Sequence, residues 1–254
     1  SDTTAVALAA ALGADCEIYS DVDGVYSADP REVPEAVRLG ELDYEAMQAL
    51  ARAGAKVLHA QAVQLAEERG IAIYARHVSP GVRGETVIRR NPAQRAGVDA
   101  IASDASITRL ALELRPGLSH AALASLSAEL GALGLRYLRV DGDGASGLLS
   151  RSQRTDAGAA RDRFAAITRG LGRSLKAAFA IEDLALVSCI GAGIEERAEL
   201  PATAITALEE AGVQIRQVFT DTRALAFVVA SSERLAAVQA LHRRLIGARA
   251  HPSG

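Results

Sequence analysis

The sequence is poor in aromatic and sulfur-containing residues. Among its 254 residues Trp is absent, Met occurs once, Cys occurs twice, and aromatic residues make up 4%. Proteins that bind nucleic acid usually carry a basic stripe and aromatic side chains on which bases stack. This chain has a net charge of −3 and no such stripe. We therefore expect no nucleic-acid partner.

Long apolar runs are also missing. No run reaches the roughly 18 residues that a transmembrane helix needs, and no basic segment followed by an apolar one opens the chain. The sequence predicts neither a membrane span nor a signal peptide, and we expect no membrane partner. Cys16 and Cys189 each fall in an apolar strand-like run, which favours buried free thiols over a disulfide and fits a cytoplasmic protein.

An acidic loop follows the first predicted strand, 16–19. The loop continues as Tyr-Ser-Asp-Val-Asp-Gly-Val-Tyr-Ser-Ala-Asp-Pro-Arg over residues 19–31. Loops that leave a buried strand are frequent ligand sites in α/β proteins. Carboxylates here and the ammonium of Lys56 are the groups that phosphoryl transfer requires. No GxxxxGK[ST] motif occurs, which excludes a P-loop.

This loop has two other interpretations. Counted from Asp21, acidic residues fall at positions 1, 3, 9 and 12, as in a calcium loop. However, Val25 stands at position 5, Tyr26 occupies the place of an essential glycine, and Pro30 interrupts the run. We reject the calcium interpretation. A solvated surface turn stays open as the alternative to a nucleotide site.

Residues 1–92 read as alternating helices and strands. The pattern predicts helices over 5–12, up to Gly54 and over 60–68, and strands over 16–19, 71–75 and 85–88. Such alternation is typical of an open α/β sheet. Ser1 and Asp2 precede the first helix, where they either only cap it or mark an end whose free N–H groups attract anions.

The remainder of the chain repeats itself. Gly134-Leu135-Arg136-Tyr137 aligns with Gly212-Val213-Gln214-Ile215 at an offset of 78 residues. Each copy reads strand, loop, helix, strand, strand, helix, which predicts two α+β, ferredoxin-like modules. We place them at 98–180 and 181–250. The sequence leaves open whether the second module is inserted in the first, with strands shared across the repeat.

In this order and spacing, the Ser-Asp-Thr-Thr-Ala opening, the acidic loop and Gly-Ala-Lys-Val-Leu-His at 54–59 resemble aspartate kinase. The resemblance covers essentially the whole chain. It implies the C-terminal part of an amino-acid-kinase domain, an open α/β sheet, followed by two tandem ACT domains. It also implies MgATP-dependent phosphorylation of the L-aspartate β-carboxylate to 4-phospho-L-aspartate, the first step to lysine, threonine and methionine. The implied cofactors are ATP and Mg²⁺.

The resemblance also assigns roles to individual residues. Ser1 would touch the aspartate substrate, and Asp2, the catalytic residue, would hold the cations in place. The nucleotide would be bound by a set drawn from the loop and from the segment before the third helix: Ser20, Asp21, Tyr26, Ser27, Ala28, Asp29, Pro30, Arg31, Lys56 and Val57. No protein-only metal site is assigned.

Departures from the family pattern bear on activity. Family members open with Lys-Phe-Gly-Gly-Thr-Ser and carry Arg-Gly-Gly before the Ser-Asp pair, and neither stands in this sequence, which opens at Ser1 without Met. We therefore expect a piece of a longer protein that has no kinase activity by itself. The alternative is a non-catalytic, amino-acid-sensing regulatory subunit.

Regulation is implied by the ACT resemblance as well. Candidate effector-binding residues lie in the loops and hairpins of the two modules: Arg115, Gly117, Leu118, Gly193, Thr220 and Asp221. The family's usual Gln-Asn is replaced by Arg-Val-Asp at 139–141, and its Ser-Thr-Ser-Glu by Thr-Asp-Thr-Arg at 220–223. A lysine or threonine effector is therefore expected to exert weak or altered control. A homo-oligomer through the ACT modules is expected.

Overall fold

The computed structural model describes residues 1–55, 57–79, 81–92, 97–152 and 157–247. These fall into two compact units. Unit 1 contains residues 1–103, 186–229 and 233 onwards, and unit 2 contains residues 104–185 and 230–232. The predicted domain ranges 1–92, 98–180 and 181–250 follow sequence repeats rather than compactness, and they stay a prediction.

Unit 1 opens with an α/β layer. Its elements, in chain order, are α1 (Asp2–Leu12), β1 (Cys16–Ser20), β2 (Val25–Tyr26), β3 (Arg38–Leu39), β4 (Glu41–Leu42), α2 (Tyr44–Ala53), α3 (Ala60–Arg69), β5 (Ile73–His77) and β6 (Glu85–Ile88). One sheet has the order β1-β5-β6-β4, and β2 and β3 form a separate pair. The β1–β5 and β4–β6 pairs are parallel, and β5–β6 is antiparallel.

Local sequence explains the helix ends. The Asp43 side chain accepts a hydrogen bond from the Ala46 N–H (2.6 Å) and so starts α2, and Gly54 ends it at φ 114°. Strand β5 begins two residues later than predicted. The reason is that the Ile71 N–H bonds to the Ala66 carbonyl (3.1 Å) and closes α3, so Ile71 belongs to the helix cap.

Two 18-residue strands, β7 (Gly97–Leu114) and β10 (Leu175–Ala192), contribute to both units. The other elements of this part are α4 (His120–Gly131), β8 (Arg136–Asp141), β9 (Gly144–Ser150), α5 (Ala157–Leu171), α6 (Glu199–Glu210), β11 (Gln217–Asp221), β12 (Ala224–Ala230) and α7 (Arg234–His242), followed by a π-helical turn. Unit 1 contains the strand neighbours β11-β12-β10-β7, and unit 2 contains β10-β7-β9-β8.

The predicted repeat is visible in these elements. In each copy a helix precedes a two-stranded hairpin, and the hairpin turn is closed by an aspartate. Asp141 accepts hydrogen bonds from the backbone N–H groups of Asp143 and Gly144, as Asp221 does from those of Arg223 and Ala224. The offset is 80 residues at these aspartates rather than 78, because six residues connect α6 to β11 whereas four connect α4 to β8.

The two units have separate apolar cores. In unit 1, Met47, Leu50, Ile73 and Ile88 are fully buried and belong to one cluster. In unit 2, alternate residues of β7 pack with residues of α4 and α5 in a second cluster. Cys16 and Cys189 are buried free thiols, as predicted, and burial raises the pKa of both. None of the helices in the described ranges is long and apolar enough to cross a membrane.

Candidate nucleotide site

The site is built at one edge of the β1–β5 pair. These parallel strands pair Ser20 with His77, and the Val78 N–H bonds to the Ser20 carbonyl (2.8 Å). Their carboxyl ends therefore meet at one edge, which is where α/β sheets usually bind ligands. The acidic loop leaves from this edge, immediately after Ser20.

The first turns of two helices lie at the same edge. Helix α1 runs back along β1, and α3 runs back along β5. Each joins its strand through a short turn at the opposite edge, where the Ala72 N–H bonds to Asp15 (2.8 Å). The eleven residues of α1 and the five residues of β1 both span about 16 Å, so the N-terminus of α1 reaches the carboxyl end of β1. The two helix N-termini are held together by a long contact (3.4 Å) from the His59 N–H to the Asp2 carboxylate.

These two N-termini differ from those of α2 and α4. Asp43 and Ser119 accept a hydrogen bond from their own helix, whereas Ser1 and His59, at the N-caps of α1 and α3, make no such capping bond, and neither do the N-cap side chains of α6 and α7. Uncapped N–H groups carry a partial positive charge and attract anions. The carboxyl edge of the β1–β5 pair thus offers backbone donors from two helices.

Strand β2 fixes the loop to the sheet. The Val25 N–H bonds to the buried Thr86 hydroxyl (2.8 Å), which itself donates to the Leu39 carbonyl (2.6 Å). Gly24 precedes this contact at φ 135°, and a Cβ there would lie 2.5 Å from the Thr86 oxygen. Only glycine fits this position without strain. The loop is therefore positioned rather than free.

The three loop carboxylates have different environments. Asp23 accepts hydrogen bonds from Tyr26 and Arg38 (both 2.9 Å). Burial disfavours its charge, but these bonds, its own backbone contact and the Arg38 charge outweigh burial and lower its pKa. Asp29 is held by the Arg31 guanidinium (2.7 and 3.0 Å), which likewise lowers its pKa. Asp21 is exposed, and it is the carboxylate most open to a ligand.

The other predicted nucleotide residues are not all placed alike. Pro30 and Arg31 are exposed, Tyr26 and Val57 are half-buried, and the Ser20 hydroxyl bonds to Val22 of its own turn. Ala28 is buried.

Ser27 is fully buried, with its hydroxyl between the Val37 N–H (3.0 Å) and the His242 ring (2.9 Å). This arrangement does not favour a direct contact between Ser27 and a nucleotide. Lys56 lies outside the described residues.

Ser1 and Asp2 lie at the start of α1. Ser1 is exposed, and its hydroxyl donates to the Asp2 carboxylate (3.2 Å). Asp2 is half-buried and accepts from the His59 N–H. Both residues therefore lie at the edge that carries Ser20 and Asp21, and their roles beside a nucleotide stay a prediction.

Helix α7 contacts the acidic loop, and the sequence does not predict this contact. Arg234 binds the Glu32 carboxylate through two nitrogens (2.7 and 2.8 Å), and the Gln239 amide donates to the Glu32 carbonyl (2.9 Å). With the His242–Ser27 bond, three residues of α7 contact the segment that follows Asp21. They are more than 200 positions away in sequence, and no local pattern indicates the contact.

The His242 contact predicts a pH dependence of stability. Burial lowers the pKa of His242 below its ordinary value of 6.5, and the Glu35 charge opposes this weakly. The unfolded chain therefore takes up a proton at a higher pH than the folded chain does. The free energy of unfolding should fall as the pH decreases below about 6.5, by at most about 1.4 kcal/mol per pH unit from this group.

Urea unfolding between about pH 7.5 and pH 5.5 measures this effect. The His242→Gln variant should lose part of the slope, whereas His59→Gln, at an exposed position, should keep it. Equal slopes in the two variants would contradict the role given to His242.

The predicted effector residues lie in two separate places. In unit 2, Arg115 and Gly117 are exposed, Leu118 packs against the core, and Gly117 has φ 107°. In unit 1, Gly193 has φ 63°, Thr220 is exposed, and Asp221 closes the β11–β12 hairpin. Both glycines occupy conformations that favour glycine, so the turn interpretation explains them without a ligand. Effector binding by these residues stays a prediction.

No cluster of three or more His, Cys, Asp or Glu that could hold a metal ion occurs among the described residues. Magnesium usually keeps several waters and takes one or two carboxylates together with the phosphates of its nucleotide. The exposed Asp21 and the half-buried Asp2 fit that kind of site. The described residues do not fit a site that would bind a metal ion without a nucleotide.

Two protein families match parts of this chain. Residues 1–76 match the amino acid kinase family, and residues 187–245 match an ACT domain. An aspartokinase of Thermus thermophilus is 31% identical over 248 residues, which cover 96% of this chain and 61% of that protein. The chain therefore spans about three fifths of the length of such relatives.

Solved structures extend the likeness to the fold. Escherichia coli aspartokinase III in complex with aspartate and ADP, in the R-state, has a TM-score of 0.84 and 25% identity, covering 96% of this chain and 55% of that one. The same enzyme in complex with lysine and aspartate, in the T-state, has a TM-score of 0.74 and 25% identity, covering 97% and 55%.

The predicted fold class, part of an amino-acid-kinase sheet followed by ACT modules, is thereby confirmed. The relatives match over nearly the whole chain, the two family matches occupy its two ends, and the strand–loop edge lies within the first of them. The chain is thus similar to aspartokinases over nearly its whole length, its residues 1–76 match the amino acid kinase family, and its residues 187–245 match an ACT domain.

Proposed function

We propose that this chain supplies the nucleotide-binding half of an aspartate kinase together with its ACT regulatory part. The reaction would be transfer of the ATP γ-phosphoryl group to the β-carboxylate of L-aspartate, yielding 4-phospho-L-aspartate and ADP. The observation that carries the proposal is the edge where two uncapped helix N-termini and the exposed Asp21 meet. The relative solved with aspartate and ADP supports it.

Each part of this edge has a physical task in the proposed reaction. The free N–H groups of α1 and α3 would bind phosphate oxygens, because both helix dipoles are directed at the edge. Asp21 would contact the nucleotide, and Asp2, beside Ser1, would position the cation and the aspartate. A bound Mg²⁺ would neutralise phosphate charge. Phosphoryl transfer needs positioning and charge neutralisation rather than a protein nucleophile.

Nucleotide binding tests the proposal without requiring turnover. We expect MgADP to bind the chain in calorimetry, and Asp21→Asn to weaken binding about tenfold, the value of one hydrogen bond to a charged group. The matched control is Asp162→Asn, which changes an exposed aspartate on α5 in unit 2. Equal affinity of the two variants would contradict a role for Asp21.

A second expectation concerns turnover. The sequence has no Lys-Phe-Gly-Gly-Thr-Ser motif, so the principal catalytic lysine that the family resemblance implies is not part of this chain. We expect the 254-residue chain to produce no aspartyl phosphate when the product is trapped as the hydroxamate. Turnover above a no-enzyme control would refute this expectation.

The regulatory part is proposed to act through α7. The helix lies within the 187–245 ACT match and contacts the loop through Arg234, Gln239 and His242. A conformational change in the ACT domain would thereby move the residues that follow Asp21. A lysine or threonine effector and a homo-oligomer formed through the ACT modules belong to this proposal. Binding of lysine is a property of the Escherichia coli relative.

The competing function is a non-catalytic, amino-acid-sensing subunit. It would need the ACT part but not the positioned acidic loop. Calorimetry distinguishes the two, because a sensor should bind an amino acid and fail to bind MgADP.

A further inference from the structure

One face of the sheet in unit 2 carries two arginines side by side. Arg109 of β7 and Arg136 of β8 both pair with Leu148 of β9, the strand between them. Residues paired directly across antiparallel strands have their side chains on the same face of the sheet. The opposite face carries Leu110 and Leu112, which pack with α4 and α5. The two arginines therefore share the face that these helices do not cover.

The two arginines border one small space. Their strands are two strand spacings apart, about 10 Å, so both long side chains reach the space above Leu148. The next row of the same face holds Ala111 and Ser146, which pair with each other. Because these side chains are small, they leave room beside the guanidinium groups for a small ligand.

Each arginine has a buried nitrogen without a bonding partner. Nε of Arg109 and Nη1 of Arg136 are buried, and neither forms a hydrogen bond with any described residue. Arginine stems often cover an apolar neighbour such as Leu148, which is 1% exposed, while the guanidinium stays in water. Here solvent does not reach these two nitrogens. A buried donor without a protein partner indicates a bound ion or water.

The carboxylates nearest to these arginines are engaged with other groups. Glu113 contacts Lys176 (3.1 Å), and Asp141 accepts a hydrogen bond from Nε of Arg139 (2.6 Å). Asp104 accepts hydrogen bonds from two serine hydroxyls. Within the described ranges, none of these carboxylates forms an ion pair with either of the two arginines. The pair therefore presents two positive charges to a ligand.

We propose that Arg109 and Arg136 form a binding site for a phosphate group, carried by inorganic phosphate or by a small phosphate ester. A phosphate dianion has the charge to neutralise both cations, and its oxygens match the planar forks of two guanidinium groups. A single carboxylate would leave one cation without a counter-charge. The site lies within unit 2, whereas the nucleotide edge belongs to unit 1, so it does not rest on the proposed kinase activity.

Equilibrium dialysis of the full chain against radiolabelled inorganic phosphate, at constant ionic strength, tests the site. We expect saturable binding that weakens at least about tenfold in Arg109→Gln and in Arg136→Gln, the value of one hydrogen bond between charged groups. Arg109→Lys keeps the charge but loses the planar fork, so its loss should be intermediate. The matched control is Arg163→Gln, which removes an exposed arginine on α5. Circular dichroism checks that each variant is folded.

Competition distinguishes the two sources of the phosphate group. Unlabelled phosphate and glycerol 3-phosphate should both displace the label, and the one that acts at the lower concentration identifies the source. Absence of saturable binding by the wild type would overturn the site. Binding that the Arg109→Gln/Arg136→Gln double variant retains would overturn it too, because that phosphate would be bound elsewhere, for example at the nucleotide edge of unit 1.

Chemical modification gives a second measurement, specific to each residue. Phenylglyoxal reacts with arginine side chains, and mass spectrometry of peptides locates the modified residues. We expect phosphate to slow the modification of Arg109 and Arg136 and to leave that of Arg163 unchanged. Equal modification of the two arginines with and without phosphate would contradict the site.

Discussion

Replacing Gly191 by alanine should lower the free energy of unfolding of unit 1 by about 2–3 kcal/mol, the range of severe overpacking. A Cβ at this position would lie 1.8 Å from the Gly97 carbonyl oxygen and 2.7 Å from its carbon. Both atoms belong to the backbone of β7, so no side chain can move aside. The strand pair would have to separate locally.

Gly40→Ala is the control for this substitution. Gly40 also lies in unit 1, with no atom within 4 Å of its added Cβ and without the positive φ that would strain alanine. Urea unfolding of both variants measures the difference. Equal midpoints would show that β7 and β10 do not approach each other this closely.

The second large effect is expected for Asp43→Ala. Asp43 caps α2 through the Ala46 N–H (2.6 Å), and it also pairs with Arg223 (2.9 Å). The Asp43 and Arg223 side chains are only 14% and 17% exposed. The loss of the cap costs about 1 kcal/mol, and the buried cation that loses a partner adds to it. We expect a total of about 2–3 kcal/mol.

Ser119→Ala separates the two contributions. Ser119 caps α4 through the Ala122 N–H and forms no ion pair in the described structure, so its loss should cost about 1 kcal/mol. Arg223→Ala, alone and combined with Asp43→Ala, completes a double-mutant cycle. If Asp43→Ala costs no more than Ser119→Ala, or if the cycle shows no coupling, the ion pair contributes nothing to stability.

Elements whose signals are local were predictable from the sequence. Helix α2 is bounded by Asp43 and Gly54, whose capping roles depend only on neighbouring backbone groups. The sequence places strand β5 two residues early, because Ile71 has a strand-forming side chain but its backbone N–H bonds to the Ala66 carbonyl of α3. Strand propensity is a property of the side chain, and it does not indicate which group the backbone N–H bonds to.

The candidate site was only partly predictable for the same reason. Sequence identifies the carboxylates Asp21, Asp23 and Asp29, but it cannot show that the last two are already paired with arginines and that Asp21 is exposed. Nor can it show that Ser27 faces His242, because that contact joins residues 215 positions apart. Long-range pairing is set by the packing of α7.

Hydrogen exchange with and without MgADP tests the central claim most directly, because it reports where the nucleotide binds. We predict slower exchange at residues 20–31 and 57–60, at the edge that joins the acidic loop to the α3 N-terminus. We predict no change at residues 217–224, the β11–β12 hairpin. Protection confined to the hairpin, or no protection at saturating MgADP, would contradict the nucleotide site proposed for this chain.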